Sequence, residues 1–252
     1  MLKKINKRLT NWITEKYPDW DLTVALRYLP IARDIKRNFG KETRILDVGS
    51  GEFGLATYIS KGFDITGTDI VFGKDKERGF KMVEASADKL PFKDNSFDIV
   101  VSVDMMEHLP LGIRKKAVFE IIRVAKNRVY LSFPRGRLSI VIDRIISMYY
   151  KLTHKMEMEF LKEHLFNGLP NEKEIKNYIF QGAKKYKKPI RVKEKGNTNS
   201  FLWFSLLLLG FSEAPILTNI YHKLLFFLPV LNIMHFWPTY RVVFRGDLND
   251  WS

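Results

Sequence analysis

The stretch ILDVGSGEFG constrains this 252-residue chain more than any other. A short apolar run with strand character ends at Val48, a helical pattern begins near Leu55, and Gly49, Gly51 and Gly54 stand between them in GxGxxG spacing. Glycines at a strand-to-helix turn let backbone approach a ligand closely, and the first turn of the helix offers free N–H donors. Three readings fit: a purely structural turn, a dinucleotide site, or a site for another nucleoside. Asp69, at the end of DITGTD, lies where an acid would accept ribose hydroxyls in either nucleoside reading. Asp47 separates these two. A carboxylate just before the glycines repels a diphosphate and favours an ammonium.

The chain around this turn alternates short apolar runs with helical stretches. RILDV, DITGTDI, KMVEA, FDIVVSV and RVYLSF read as strands, with helices at LATYISKG and RKKAVFEIIRVA between them. That order implies βαβ units and a mostly parallel sheet covered on both faces. Residues 1–40 precede it as basic amphipathic helices. Leu2, Ile5, Leu9, Trp12 and Ile13 fall at helical spacing among Lys3, Lys4, Lys7 and Arg8, and a second helix follows Asp21, bent or divided at Pro30 and stopping at Gly40. Residues 41–252 form the main domain, with insertions expected at 135–170 and 197–238. RLSIVIDRIISMYYKL reads as helix, FLKEHLFNGLP as a loop, and NEKEIKNYIFQGA as a helix begun by Asn171 and ended at Gly182. PIRVKE and TYRVVFR read as strands, the latter antiparallel and last in the sheet.

Downstream of the glycines, EASADKLPFKDNSFDIVVSVDMMEHLP places Asp88 after a third strand and FDIVVSV as a fourth. Over residues 43–134 the chain resembles the class I S-adenosylmethionine-dependent methyltransferases, in particular the methyltransferase type 11 branch, with D-x-G-x-G, an acid after strand two, A-x-x-L-P-F-x-D-x-S-F-D and E-H in that order. The resemblance implies an α/β, Rossmann-like, seven-stranded, mostly parallel sheet with helices on both faces, N-terminal helices and a hydrophobic helical insertion before the last strand. It implies S-adenosylmethionine as cofactor, with Asp47, Gly49 and Gly51 under the methionine part and Asp69 on both ribose hydroxyls. Asp88 would accept from the adenine amino group, Ala87 and Leu90 would flank the ring, and the backbone at Val103 and Asp104 would line the methionine side. The family's third glycine commonly falls at the position of Phe53, so Gly54 is expected to serve the same turn and contacts from Glu52 to Gly54 stay open.

A sulfonium methyl is already activated, so the protein has mainly to align a nucleophile and exclude water. His108, just after the fourth strand, is the candidate general base, because its ordinary pKa suits neutral pH. Packing or capping with Glu107 is the structural alternative. His164 has a weaker claim from its expected loop. No metal is expected, because no further His or carboxylate is spaced around the Glu107–His108 pair.

Composition narrows the acceptor. Zero cysteines exclude disulfides, thiolate metal sites and the covalent route to carbon-5 of pyrimidines. Val103–Met106 replaces the Asn/Asp-Pro-Pro-aromatic run of enzymes that methylate exocyclic amino groups of bases. The net charge of +14 is unevenly spread: residues 111–195 hold 21 Lys or Arg against eight acids, whereas 41–110 hold nine against 13. Cofactor and anionic partner are therefore expected on different surfaces. FLWFSLLLLGF and LLFFLPVLNIMHFW, 11 and 14 residues long, fall short of the ~20 needed to span a bilayer and read as core, hydrophobic lid or shallow membrane contact. The expected acceptor is a small molecule, lipid or lipid-linked compound. The cysteine count fits a reducing compartment and the N-terminus does not read as a secretory signal, so the expected location is cytoplasmic, with peripheral attachment to an anionic membrane surface as a further option. The alternatives are an RNA-directed methyltransferase, suggested by KKYKKPIRVKEK, and a non-catalytic binding module of the same fold.

Overall fold

A computed structural model describes residues 10–13, 15–17, 20–51, 54–59, 62–72 and 80–249. Seven strands form one sheet: β1 (Arg44–Val48), β2 (Asp64–Asp69), β3 (Lys81–Glu84), β4 (Phe97–Val103), β5 (Ala125–Pro134), β6 (Arg191–Asn199) and β7 (Thr239–Asp247). Their order is β3-β2-β1-β4-β5-β7-β6, with β7 antiparallel to both neighbours and the pairs from β3 through β5 parallel. The α/β architecture, the helix after Asp21 and the late antiparallel strand thus match the sequence reading.

Alternation along the central strands builds two cores. Ile45, Ile99 and Val101 face one side, where they pack with α1 (Leu22–Asn38) and α2 (Gly54–Tyr58). Leu46, Val48 and Val100 face the other, against α3 (Leu111–Val124). Three helices follow β5: α4 (Gly136–His154), α5 (Glu159–Asn167) and α6 (Glu172–Lys185). Between β6 and β7 lie α7 (Ser200–Gly210), α8 (Pro215–Lys223), a 3₁₀ turn (Leu224–Phe227) and α9 (Leu228–Leu231). Trp203 and Leu207 of α7 join Ile142, Ile146 and Leu161 in a third core. No helix among the described residues is long and apolar enough to cross a membrane.

The structure differs from the sequence reading at three helices. Pro30 does not divide α1. A proline deprives the carbonyl four residues earlier of its N–H partner, and here Asn197 Nδ2 donates to Leu26 O at 3.4 Å. Gly182 does not end α6, which runs on to Lys185. A Cβ at Gly182 would lie 3.3 Å from Phe119, so this glycine serves close packing against α3 instead. FLKEHLFNGLP is not a loop, because residues Glu159–Asn167 form α5 and bury Leu161 and His164, three apart on one face.

The expected amphipathic helix over Leu2, Ile5 and Leu9 lies outside the described residues. Thr10–Ile13 are helical, and Trp12 meets Phe226 edge-on at 5.4 Å between ring centroids. In the basic run 184–195, Lys188 is turned inward: its Nζ donates to the carbonyls of Ile122 and Arg123 at the end of α3, and burial lowers its pKa to about 8.

Candidate functional site

The strand order reverses between β1 and β4, and α/β sheets bind ligands at the carboxyl ends of the strands flanking such a switch point. A cavity of about 480 Å³ opens there, within the range of nucleoside-sized ligand sites. Its walls are Val48–Gly51 after β1, Asp69 and Ile70 after β2, Ala85–Ala87 after β3, Val103–Met105 after β4, and Val24, Arg27 and Tyr28 of α1. Gly49, Gly51, Asp69, Ala87, Val103, Asp104 and His108 all lie in this wall.

Gly49 has φ +73°, and a Cβ there would lie 2.6 Å from Met105 Cγ, so only glycine fits between the strand end and Met105. At Gly51 a Cβ would meet nothing within 4 Å, so the backbone there borders open space. Asp69 holds the turn: its Oδ2 accepts from Gly51 N at 2.9 Å and its Oδ1 from Ile70 N at 2.8 Å. A carboxylate has about four lone-pair sites, so two stay free to accept from a ligand.

Asp47 lies beneath this turn, 1% exposed. Its Oδ2 accepts from Leu55 N at 2.6 Å at the start of α2, and a Cβ at Gly54 would stand 2.8 Å from that oxygen. Gly54 therefore opens α2 and leaves room for Asp47. Glu52 and Phe53 lie outside the described residues. Oδ1 of Asp47 is buried with no hydrogen-bond partner. Burial raises the Asp47 carboxyl to about 7, against the Leu55 N–H and Tyr28, which lower it. A carboxyl whose folded pKa exceeds its unfolded value binds its proton more tightly in the folded state, so ionising it destabilises the fold. Wild type should therefore lose stability relative to Asp47→Asn as pH rises from about 4 to about 7, by up to about 1.4 kcal/mol per pH unit, with a constant difference above. Urea unfolding of both proteins at pH 5, 6, 7 and 8 measures this, and parallel profiles would refute it.

Asp88 and Leu90 lie outside the cavity wall. The Asp88 carboxylate accepts from Ser86 Oγ, and Leu90 is buried in the core while its N–H donates to Glu120. Asp104 turns at φ +52°, and its carboxylate takes Arg241 Nε at 2.7 and 2.8 Å and Arg27 Nη1 at 3.3 Å. The Arg241 guanidinium stacks 3.8 Å over Trp203 and that of Arg27 lies 5.2 Å from the same ring.

A second cavity, about 300 Å³, lies on the far side of this wall and shares Arg27, Asp104 and His108 with the first. Glu107, Phe160, His164, Trp203, Phe211 and Tyr240 also line it. His108 Nδ1 pairs with Glu163 Oε2 at 2.6 Å. Burial, then the neighbouring His164, lowers the His108 pKa against the pull of Glu163, which favours the neutral ring. His164 is buried, with Nδ1 3.0 Å from Asp143 Oδ2. Glu107 is fully buried, and burial raises its carboxyl well above the ordinary range. The spacing argument against a metal fails here, because α5 carries His164 up to the Glu107–His108 pair. Arg27, Tyr28, Glu163 and Arg241 were not singled out from the sequence. Only an arginine within the apolar pattern LTVALRYLP hinted at the first of them.

Residues 46–133 match the methyltransferase domain family. The chain is 31% identical over 140 residues to a glycine/sarcosine/dimethylglycine N-methyltransferase of Actinopolyspora halophila, covering 45% of this chain and 24% of that protein. It is 29% identical over 140 residues to phthiotriol/phenolphthiotriol dimycocerosates methyltransferase 1 of Mycobacterium ulcerans, covering 49% of this chain and 51% of that one. The matches thus span about a quarter and about half of these relatives. A crystal structure of a SAM-dependent methyltransferase from Archaeoglobus fulgidus superposes with TM-score 0.51 at 17% identity, over 93% of this chain and 97% of that one, a likeness of fold. The residues present fit S-adenosylmethionine: a glycine turn open to the cavity, an acid with free lone pairs beside it, and a buried carboxylate oxygen without a partner beneath. Residues 46–133, with this strand order and this turn at the switch point, match the methyltransferase domain family, and the fold around them is that of S-adenosylmethionine-dependent methyltransferases.

Proposed function

We propose that the protein transfers a methyl group from S-adenosylmethionine to a small-molecule or lipid-linked acceptor held in the second cavity. One observation carries this reading: the two cavities meet at Arg27, Asp104 and His108, so a donor in one and an acceptor in the other face each other across a shared wall. Gly49, Gly51 and Asp69 would hold the cofactor, with Asp47 beneath them and Ala87 and Val103 against it. The bound cofactor supplies an activated sulfonium methyl. The chain's own part is alignment, exclusion of water by the aromatic walls, and handling of the acceptor's proton. Asp88 and Leu90 would act only by shaping the segment after β3, since neither reaches the cavity.

His108 is the group placed to act on that proton. Its Nδ1 is held by Glu163, which leaves Nε2 as the free lone pair of a neutral ring. His108→Asn should lower turnover about 100-fold or more with cofactor affinity nearly unchanged. Steady-state rates and titration calorimetry on the same preparation measure both, and a change of only a fewfold in turnover would return His108 to a packing role. The experiment that tests the function itself is transfer of labelled methyl into a total cell extract, fractionated into lipid, RNA, protein and small molecules. Label confined to RNA, or none in any fraction, would overturn the acceptor class.

The lipid branch is supported by the segment between α8 and β7, where Phe226, Phe227, Val230, Ile233, Phe236 and Trp237 are exposed, Ile233 by 70% and Trp237 by 83%. An exposed apolar run of this kind marks an interaction surface. Trp12 lies against Phe226, with Lys16 Nζ 4.4 Å over the Trp12 ring, so basic and apolar groups adjoin. The relative from Mycobacterium ulcerans is named for phthiotriol and phenolphthiotriol dimycocerosates. The protein should sediment with anionic liposomes at low salt, and added salt should release it, each basic residue near the surface contributing about 1 kcal/mol. Equal binding to neutral and anionic liposomes would remove the electrostatic part, and tight salt-sensitive RNA binding without liposome binding would favour an RNA acceptor.

A further inference from the structure

The buried polar groups at the floor of the second cavity are unsatisfied in a particular way. Both carboxylate oxygens of Glu107 and Nε2 of His164 are buried without a hydrogen-bond partner. Unpaired buried polar atoms are costly, and natural proteins seldom leave several together without a ligand. One donor atom each from Glu107, His108 and His164 fall within 4.8 Å of one another, and His164 Nε2 stands 3.9 Å from Glu107 Oε1. These groups come from two elements far apart in sequence, the turn after β4 and helix α5.

A second layer supports both imidazoles. His164 Nδ1 pairs with Asp143 Oδ2 at 3.0 Å and His108 Nδ1 with Glu163 Oε2 at 2.6 Å. Asp143 is itself held, accepting from the Tyr240 hydroxyl through its other oxygen. A carboxylate on Nδ1 fixes that nitrogen as the donor and leaves Nε2 as a lone pair, the arrangement that orients histidines on metal ions. A proton on Glu107 would satisfy one oxygen only, and it would leave the imidazole lone pairs unexplained.

We propose that Glu107, His108 and His164 bind one divalent transition-metal ion at the acceptor side of the junction, with Asp143 and Glu163 orienting the two histidines. Two imidazoles and one carboxylate suit Zn²⁺, Co²⁺, Fe²⁺ or Mn²⁺ better than Mg²⁺ or Ca²⁺, which take oxygen donors. Bonds of about 2.1 Å in tetrahedral array put donor atoms about 3.4 Å apart, so the three side chains must close by about 1 Å on loading. Charge favours this. Four carboxylates, Asp104, Glu107, Asp143 and Glu163, stand in the cavity wall or behind its imidazoles, against the two guanidinium groups of Arg27 and Arg241. Both of those guanidinium groups bind Asp104. Three protein ligands leave a coordination position toward the cavity, where an oxygen of the acceptor would bind. This last step rests on the transfer reading above: the cation would acidify a bound acceptor hydroxyl, whose proton would pass to solvent water as the acceptor binds, and His108 would serve as a ligand and not as the base.

The test uses the untagged full chain, stripped with a chelator and titrated with Co²⁺ by calorimetry and visible absorption. One Co²⁺ per chain is expected, displaced by Zn²⁺ and raising the unfolding temperature. His164→Asn should weaken Co²⁺ binding at least 100-fold. Glu163→Gln, at a half-exposed side chain whose loss should spare the fold, should weaken it about 10-fold. S-adenosylmethionine titrations of wild type and His164→Asn report the transfer reading separately, since neither Glu107 nor His164 lines the first cavity. Absence of stoichiometric Co²⁺ and Zn²⁺ binding, or equal affinity in wild type, His164→Asn and Glu163→Gln, would overturn the metal site whatever the cofactor titrations show.

Discussion

Asp69→Ala should bind S-adenosylmethionine about 10- to 100-fold more weakly than wild type, a loss of about 1.5 to 3 kcal/mol. Two contributions add. The carboxylate holds the glycine turn through Gly51 N and the start of the next segment through Ile70 N, so alanine loosens the backbone that lines the cavity. It also removes charge-assisted acceptors for the ribose hydroxyls, which hydrogen-bond about twice as strongly as neutral ones. Asp69→Asn separates the two, because an amide oxygen still accepts from Gly51 N while the charge is gone. Its loss should be intermediate. Titration calorimetry on folded variants decides the matter, and unchanged affinity in Asp69→Ala would sink the assignment of this acid to the ribose.

Asp69 was legible from the sequence because it depends on local order: a strand, a fixed spacing after the glycines, and an acid at the strand end. The strands RILDV and FDIVVSV were legible for the same reason, as short apolar runs bounded by turn residues, whereas the face each residue joins came from the structure. The second cavity was not legible. Arg27 and Arg241 reach it from the first helix and the last strand, and no spacing rule connects those segments. His164 was expected on a loop because FLKEHLFNGLP shows little apolar periodicity. The segment is helical, and its inward face consists of one leucine and one histidine that pairs with Asp143. Asp88 shows the reverse case. Its place in the motif suggested adenine, whereas the fold pairs it with Ser86 outside the cavity wall.

The largest effect on the fold is expected at Asp104. One carboxylate there holds two cations, Arg241 at 2.7 Å and Arg27 at 3.3 Å. Arg241 is 2% exposed, and the described residues give no partner to its Nη1 or to Nε of Arg27. Removing the anion from a buried ion pair leaves an uncompensated charge, and this costs about 3 to 5 kcal/mol. Backbone strain must be kept apart from that loss, because Asp104 has φ +52°, a region that aspartate and asparagine tolerate and alanine does not. Asp104→Asn therefore isolates the charge, and its unfolding temperature should fall by about 10 °C. Asp104→Ala should fall further, by about another 1 to 2 kcal/mol of backbone strain. If the stranded guanidinium is the cause, Arg241→Met added to Asp104→Asn should recover part of the loss, since an apolar side chain over Trp203 needs no counter-ion. Calorimetric unfolding of the three variants measures this, and a double variant less stable than Asp104→Asn alone would show that Arg241 stabilises the wall by its own packing on Trp203 and Tyr240. On the function proposed above, in which this wall stands between donor and acceptor, Asp104→Asn should also lose turnover at temperatures where it remains folded, with KM for the acceptor rising more than Kd for the cofactor.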